Sequence, residues 1–101
     1  MTDNGSVTDD FSFTDQTDAS RFELRAGGEL VSVLDYHMNG DTVALTRAFT
    51  NPAKRGSGYA AVVTERAVDA IEQQGRKALP VCWYVADWFD EHPERAGVLA
   101  A

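Results

Sequence analysis

A chain of 101 residues, 44% hydrophobic and 25% charged, has room for one small globular domain. Its net charge of −7 argues against general binding to nucleic acid or to an anionic membrane surface, and no apolar run reaches the roughly 20 residues that span a bilayer. One cysteine, Cys82, excludes an internal disulfide and a cysteine-based metal cluster, and no His, Cys and carboxylate grouping suggests a metal.

Residues 1–20 hold Asp3, Asp9, Asp10, Asp15 and Asp18 with no Lys or Arg, and only Val7, Phe11 and Phe13 are strongly apolar. That composition predicts a flexible acidic tail. The chain beyond it is nearly neutral, at −2. No basic-then-apolar leader is seen at the N-terminus, so cytoplasmic residence is the default expectation.

From residue 21 onward the pattern becomes that of a folded domain. Arg21 to Arg25 alternates, with Phe22 and Leu24 on one face, and Gly27-Gly28 then signals a hairpin. Glu29 to Met38 reads as a long strand, with Leu30, Leu34, Tyr36 and Met38 on one face and Val31 and Val33 on the other. Asn39-Gly40 suits a type I′ turn, and Thr42 to Phe49 resumes the alternation. Asn51-Pro52 ends that strand. A helix is predicted from about Ser57 to Gln74, with Ala60, Val63, Ala67, Ala70 and Ile71 as its apolar stripe and Gly75 as its terminator. Lys77 to Tyr84 reads as a short buried strand interrupted by Pro80, and Val85 to Glu91 as a short helix ended near His92-Pro93. The predicted order is β-β-β-α-β-α, an α+β domain over residues 21–95 with a mostly antiparallel, mixed sheet and a short tail at 96–101.

Lys54-Arg55-Gly56-Ser57-Gly58-Tyr59-Ala60 lies where the chain leaves a strand for a helix. Glycines remove Cβ atoms where a backbone must pass close to a ligand, and the first N–H groups of a helix have no internal partners. No carboxylate occurs from Ser57 through Thr64, and two cations stand just outside the start. An uncompensated positive helix end in so acidic a chain predicts an anion site. The plainer alternative is a tight turn with Ser57 as an ordinary N-cap.

Asn51 through Ala60 resembles the acyl-CoA-binding motif of the GCN5-related N-acetyltransferases, Gln/Arg-x-x-Gly-x-Gly/Ala, with Arg55, Gly58 and Ala60 at its defined positions. Leu79-Pro80-Val81-Cys82-Trp83-Tyr84-Val85 and Glu91-His92-Pro93-Glu94 are similar to the small single-domain branch of that family, with its Pro-x-Cys segment and late His-Pro. The resemblance implies a single-domain acyl-CoA N-acyltransferase fold and an acetyl-CoA or CoA cofactor. It places the pyrophosphate on the backbone of Arg55, Gly56, Ser57, Gly58, Tyr59 and Ala60, and the pantetheine arm beside Phe49, Thr50 and Asn51. It further implies that this strand and the one bearing Cys82 part around the thioester, which a neutral amine attacks directly.

In that branch the third strand of the domain ends in His-Thr-Glu-Val, and the Glu is a candidate base. Here the run is Arg47-Ala48-Phe49-Thr50, with neither the His nor the Glu. Cys82, as a base or transient acyl acceptor, and Tyr84, as an acid for the leaving thiolate, are the catalytic candidates, each weighed against a packing role. His37 reads as a surface residue and His92 as a helix cap or a cofactor-edge contact. Trp83, Trp88 and Phe89 read as core, or as aromatic surfaces for the cofactor. An N-acetyltransferase acting on an amine, such as one on a protein or peptide, is the leading expectation, as a monomer or weak dimer without nucleic-acid or membrane partners. The alternatives are a non-catalytic CoA-binding or interaction module and a structural protein whose Gly-x-Gly is only a turn.

Overall fold

Glycine turns set the strand pairing. Gly27 and Gly28 both have positive φ, at 59° and 85°, and join Ala26 to Glu29, which face each other. That is the type I′ pattern. The next turn differs from the expected one: Asn39 pairs with Thr42, so the two-residue loop is Gly40-Asp41, with positive φ only at Gly40. A single leading glycine fits type II′ rather than I′.

The computed structural model describes residues 11–100. Strands β1 (Phe11–Gln16), β2 (Arg21–Ala26), β3 (Glu29–Asn39) and β4 (Thr42–Thr50) pair antiparallel in sequence order. Helix α1 (Tyr59–Gln73) then returns the chain so that β5 (Lys77–Pro80) lies parallel to β4 at the edge of a five-stranded sheet. Helix α2 (Trp83–Glu91) and a 3-10 segment, Pro93–Val98, complete the domain. The expected α+β architecture and mixed sheet are present, with one strand more than expected.

That strand is β1. The predicted flexible segment fails from Phe11 onward: residues 11–16 form the sheet edge, while residues 1–10 lie outside the described residues. Tertiary contacts offset the poor composition. Phe13 stacks on Phe22 at 5.5 Å, Phe11 meets the Tyr59 ring edge-on at 5.8 Å, and the Tyr36 hydroxyl donates to Asp15 Oδ1 at 2.6 Å. The C-terminal tail also needs correcting. Val98 is buried, Ala100 N–H donates to the Ala78 carbonyl at 2.8 Å, and Lys77 Nζ donates to the Gly97 carbonyl at 2.6 Å.

The core lies on one face of the sheet. Phe22, Leu24, Leu34, Tyr36, Val43, Leu45 and Ala78 meet Val63, Ala67, Val68 and Ile71 of α1 and Val85, Trp88 and Phe89 of α2 in one cluster. Both helices therefore cover the same face. Helix α1 stops in a Schellman motif: Arg76 N–H donates to Ile71 and Gly75 N–H to Glu72, with Gly75 at φ 71°.

Two bulges bend the sheet. Val31 is the extra residue between β2 and β3, and Thr46 is the extra residue between β3 and β4. The second one shapes the site, because a bulge turns the strand and shifts which residues face each side.

Candidate functional site

Strands β4 and β5 separate just where the bulge begins. Their register runs from Thr42↔Lys77 to Leu45↔Pro80 and goes no further. Val81 and Cys82 N–H both donate to the Leu45 carbonyl, at 3.0 and 2.9 Å, after which the chain turns into α2. β4 continues to Thr50 with that edge unpaired.

The remaining backbone groups follow from the register. Asn51 N–H donates to the Val31 carbonyl at 2.9 Å, which makes the facing residues two positions back, Phe49 and Val33, a hydrogen-bonded pair. Ala48 and Thr50 fall between such pairs, so their N–H and C=O groups point away from β3 toward the gap. Ser32, fully buried against this end of β4, donates from Oγ to the Phe49 carbonyl at 3.1 Å. Its one hydroxyl proton being used, the Thr50 hydroxyl 3.0 Å away donates to Ser32 and leaves its lone pairs toward the cleft.

The gap opens into a cleft of about 630 Å³ walled by Ala48 and Thr50 of β4, by Lys54 through Ala61 except Ser57, and by Cys82, Trp83 and Tyr84. Its floor is the N-terminus of α1. Helix α1 begins at Tyr59, and its N-cap is Gly58 at φ 80°, not Ser57; no side chain caps the helix and no acid lies in its first turn. Gly56 is also left-handed, at φ 87°, and a Cβ built on either glycine would meet no atom within 4 Å. These glycines serve the turn and leave open space before the helix N–H groups. Lys54 is held by Glu29 at 3.3 Å, and Arg55 is exposed at the rim. Among the described residues no carboxylate lines the cleft. Its volume and its positive end suit a phosphate-bearing ligand of cofactor size.

The expected site residues divide between two faces. Thr50, Arg55, Gly56, Gly58, Tyr59, Ala60, Cys82 and Tyr84 line the cleft. Ser57 is exposed on the same loop without lining it. Phe49 and Asn51 instead line a smaller hollow of about 290 Å³ with Leu30, Val31 and Val33. Arg47 stands over the Phe49 ring, 5.3 Å from its centre. Ala48 was missed by sequence reasoning, because only the bulge at Thr46 makes it the inward residue.

Cys82 does not sit on a buried strand. It is the N-cap of α2, half-buried, with no side-chain cap bond. Pro80 ends β5 early, which forces the extended Val81-Cys82 step to serve as the helix entry. Tyr84, in the first turn of α2, has its hydroxyl pKa raised by burial and by the nearby Glu91 carboxylate. His37 is exposed. His92 stacks on Trp88 at 4.1 Å and donates from Nδ1 to the Trp88 carbonyl at 2.6 Å, which makes it a helix-end residue away from the cleft. Trp88 and Phe89 are core, whereas Trp83 is not.

A parallel strand pair parting above a glycine-bounded helix N-terminus is the arrangement of an acyl-CoA N-acyltransferase fold. A family model described as GCN5-related N-acetyl-transferase matches residues 21–98, and the chain belongs to that family. The ribosomal-protein-S18-alanine N-acetyltransferase of Escherichia coli superposes with a TM-score of 0.60 at 15% identity, covering 85% of this chain and 65% of that one. The solution structure of a GCN5-like protein from Staphylococcus aureus superposes with a TM-score of 0.63 at 8% identity, covering 91% and 90% of the two chains. At these identities the likeness is one of fold. No curated protein matches the sequence.

Proposed function

We propose that the chain is an N-acetyltransferase that takes acetyl-CoA in the cleft and passes its acetyl group to an amine. The observation that carries this reading is the bare N-terminus of α1, with Gly56 and Gly58 in the left-handed region, opening onto the gap between β4 and β5. The N–H groups from Gly56 to Ala60 hold the pyrophosphate, with Arg55, whose own N–H donates to the Pro52 carbonyl, beside it at the rim, and the outward backbone groups of Ala48 and Thr50 pair with the pantetheine amides.

Acetyl-CoA supplies a thioester whose C–S bond breaks as the amine nitrogen forms the new C–N bond. The chain's task is to hold the amine and thioester together and to manage two protons, one leaving the amine and one reaching the CoA thiolate. Tyr84 is the cleft residue kept protonated by its surroundings, and it donates the second. Cys82 stands two residues away at the same wall.

One observation favours a second reading, a CoA-binding module without turnover. Phe49 occupies the place where the family resemblance expects a carboxylate, and among the described residues no Asp, Glu or His lines the cleft. Thiol release from acetyl-CoA separates the two. A panel of small amines and free peptide N-termini should include acceptors that raise the release rate in the transferase. Bound CoA with no amine-dependent release across the panel would favour the module.

A further inference from the structure

Among the described residues the large hydrophobics left exposed are Phe49 at 40%, Leu79 at 45%, Val81 at 59% and Trp83 at 75%. All four lie on the two segments that part to make the cleft. Ala78 is fully buried, whereas Leu79 on β5, Val81 beyond its end and Trp83 at the start of α2 form an exposed apolar strip where the sheet gives way to the helix. Scattered apolar side chains are ordinary on a surface, but three within five residues, Leu79, Val81 and Trp83, are a concentration. The strip continues into a shallow groove of about 150 Å³ formed by Trp83, Tyr84, Asp87, Trp88 and Glu91. Helix α2 contains Asp87, Asp90 and Glu91 and no Lys or Arg, and none of these three carboxylates meets a cation within 4.0 Å among the described residues. Aromatic walls with unpaired carboxylates recognise a positive charge.

We propose that the acceptor amine is carried by an apolar, positively charged polypeptide segment that seats on Leu79, Val81 and Trp83, with Asp87 and Glu91 taking its cationic side chain. The inference rests on the acyl-transfer reading of the cleft and names its substrate class. Extent argues for a polypeptide: along α2 alone, from Trp83 to Glu91, the surface runs roughly 12 Å, more than a small amine spans. Charge argues against a second copy, because a two-fold contact through this surface sets each copy's α2 carboxylates against the other's.

Three synthetic peptides of equal length and free N-terminus, alternating Leu/Lys, Ser/Lys and Leu/Glu, test this by titration against tryptophan fluorescence, for which exposed Trp83 is the reporter. The Leu/Lys peptide binds at least tenfold more tightly than either control, and Val81→Asp and Glu91→Lys each weaken it at least tenfold. Equal binding of Ser/Lys and Leu/Lys overturns the proposal, as does an unchanged affinity in Val81→Asp. A dimer seen by sedimentation and dissolved by Val81→Asp also overturns it. Calorimetric titration of the same proteins with CoA keeps the two levels apart. CoA binding without peptide discrimination sinks the inference and spares the cleft; peptide discrimination without CoA binding overturns the transferase reading and leaves the strip as a polypeptide site.

Discussion

The Cys82 N–H donates to the Leu45 carbonyl at 2.9 Å, and with the Val81 bond to the same oxygen it fixes the point where β5 leaves β4. One carbonyl thus marks the apex of the cleft. The bulge at Thr46 begins on the next residue and swings β4 away, so the gap is built into the strand rather than opened by a ligand.

The glycine loop gives the first prediction. Gly58 holds φ 80° in open space, so Gly58→Ala strains the backbone without a clash and costs about 1 kcal/mol. Gly40→Ala, at φ 62° in open space in the hairpin at the other end of β3 and β4, costs a similar amount. Denaturant titration should show comparable losses for both. Only changes at Gly58 reduce CoA affinity, and Gly58→Glu, which brings a negative charge to the anion site, abolishes it. Retained affinity in Gly58→Glu would remove the pyrophosphate from this loop.

Ser32 sets the end of β4 through bonds to the Phe49 carbonyl and Thr50 hydroxyl. Ser32→Ala leaves Thr50 without its acceptor and should destabilise the fold by about 1 kcal/mol. CoA affinity should fall in the same variant, because Thr50 then loses its fixed rotamer beside the cleft. Unchanged affinity together with the expected stability loss would confine Ser32 to a structural role.

Tyr36 ties β1 to the core, and its pKa is pushed up to about 12 by burial and by its bond to Asp15. The folded state holds the phenolic proton more tightly than the unfolded chain does. The resulting stability is complete below pH 10 and is lost as pH rises toward 12. Unfolding of wild type and Tyr36→Phe compared between pH 9 and 12 should show this extra alkaline loss in wild type alone. Parallel curves would mean the Tyr36 proton is not linked to folding.

Tyr84 is raised above its ordinary value of 10.0 by burial and by Glu91, so as a proton donor it stays competent through neutral and mildly alkaline pH. Its deprotonation then shows as a fall in kcat only above pH 10, and Glu91→Gln moves that fall to lower pH. Tyr84→Phe lowers kcat by about 10²-fold with little change in CoA affinity. A variant with full kcat would return the donor role to water or to Cys82.

Much of this structure was readable from residue patterns, and the misreadings share one physical origin. The Gly27-Gly28 hairpin, the Val63, Ala67 and Ile71 positions of α1 and the Gly75 stop are local signals, and each acts where the sequence places it, whereas the second hairpin turns one residue later than Asn39-Gly40 suggests. β1 was missed because Phe11-Ser12-Phe13-Thr14 alternates for only four residues, and its stability comes from Phe22, Tyr36 and Tyr59, distant in sequence. The bulge at Thr46 has no sequence mark, so the alternation sets Phe49 on one face with Val43 and Leu45, whereas Ala48 and Thr50 face the gap. Cys82 reads as strand because Trp83 and Tyr84 are weak helix formers and prolong the run from Lys77; the Leu45 carbonyl, a tertiary partner, fixes its true position at the head of α2.

Calorimetric titration of the intact chain with CoA and acetyl-CoA, beside 3′-dephospho-CoA, tests the central claim most directly. A cleft that holds the cofactor through the α1 N-terminus gives micromolar binding, on the order of −8 kcal/mol, with acetyl-CoA binding more tightly than CoA. No heat and no thermal shift with either ligand would contradict it and reduce Gly56 and Gly58 to a structural turn.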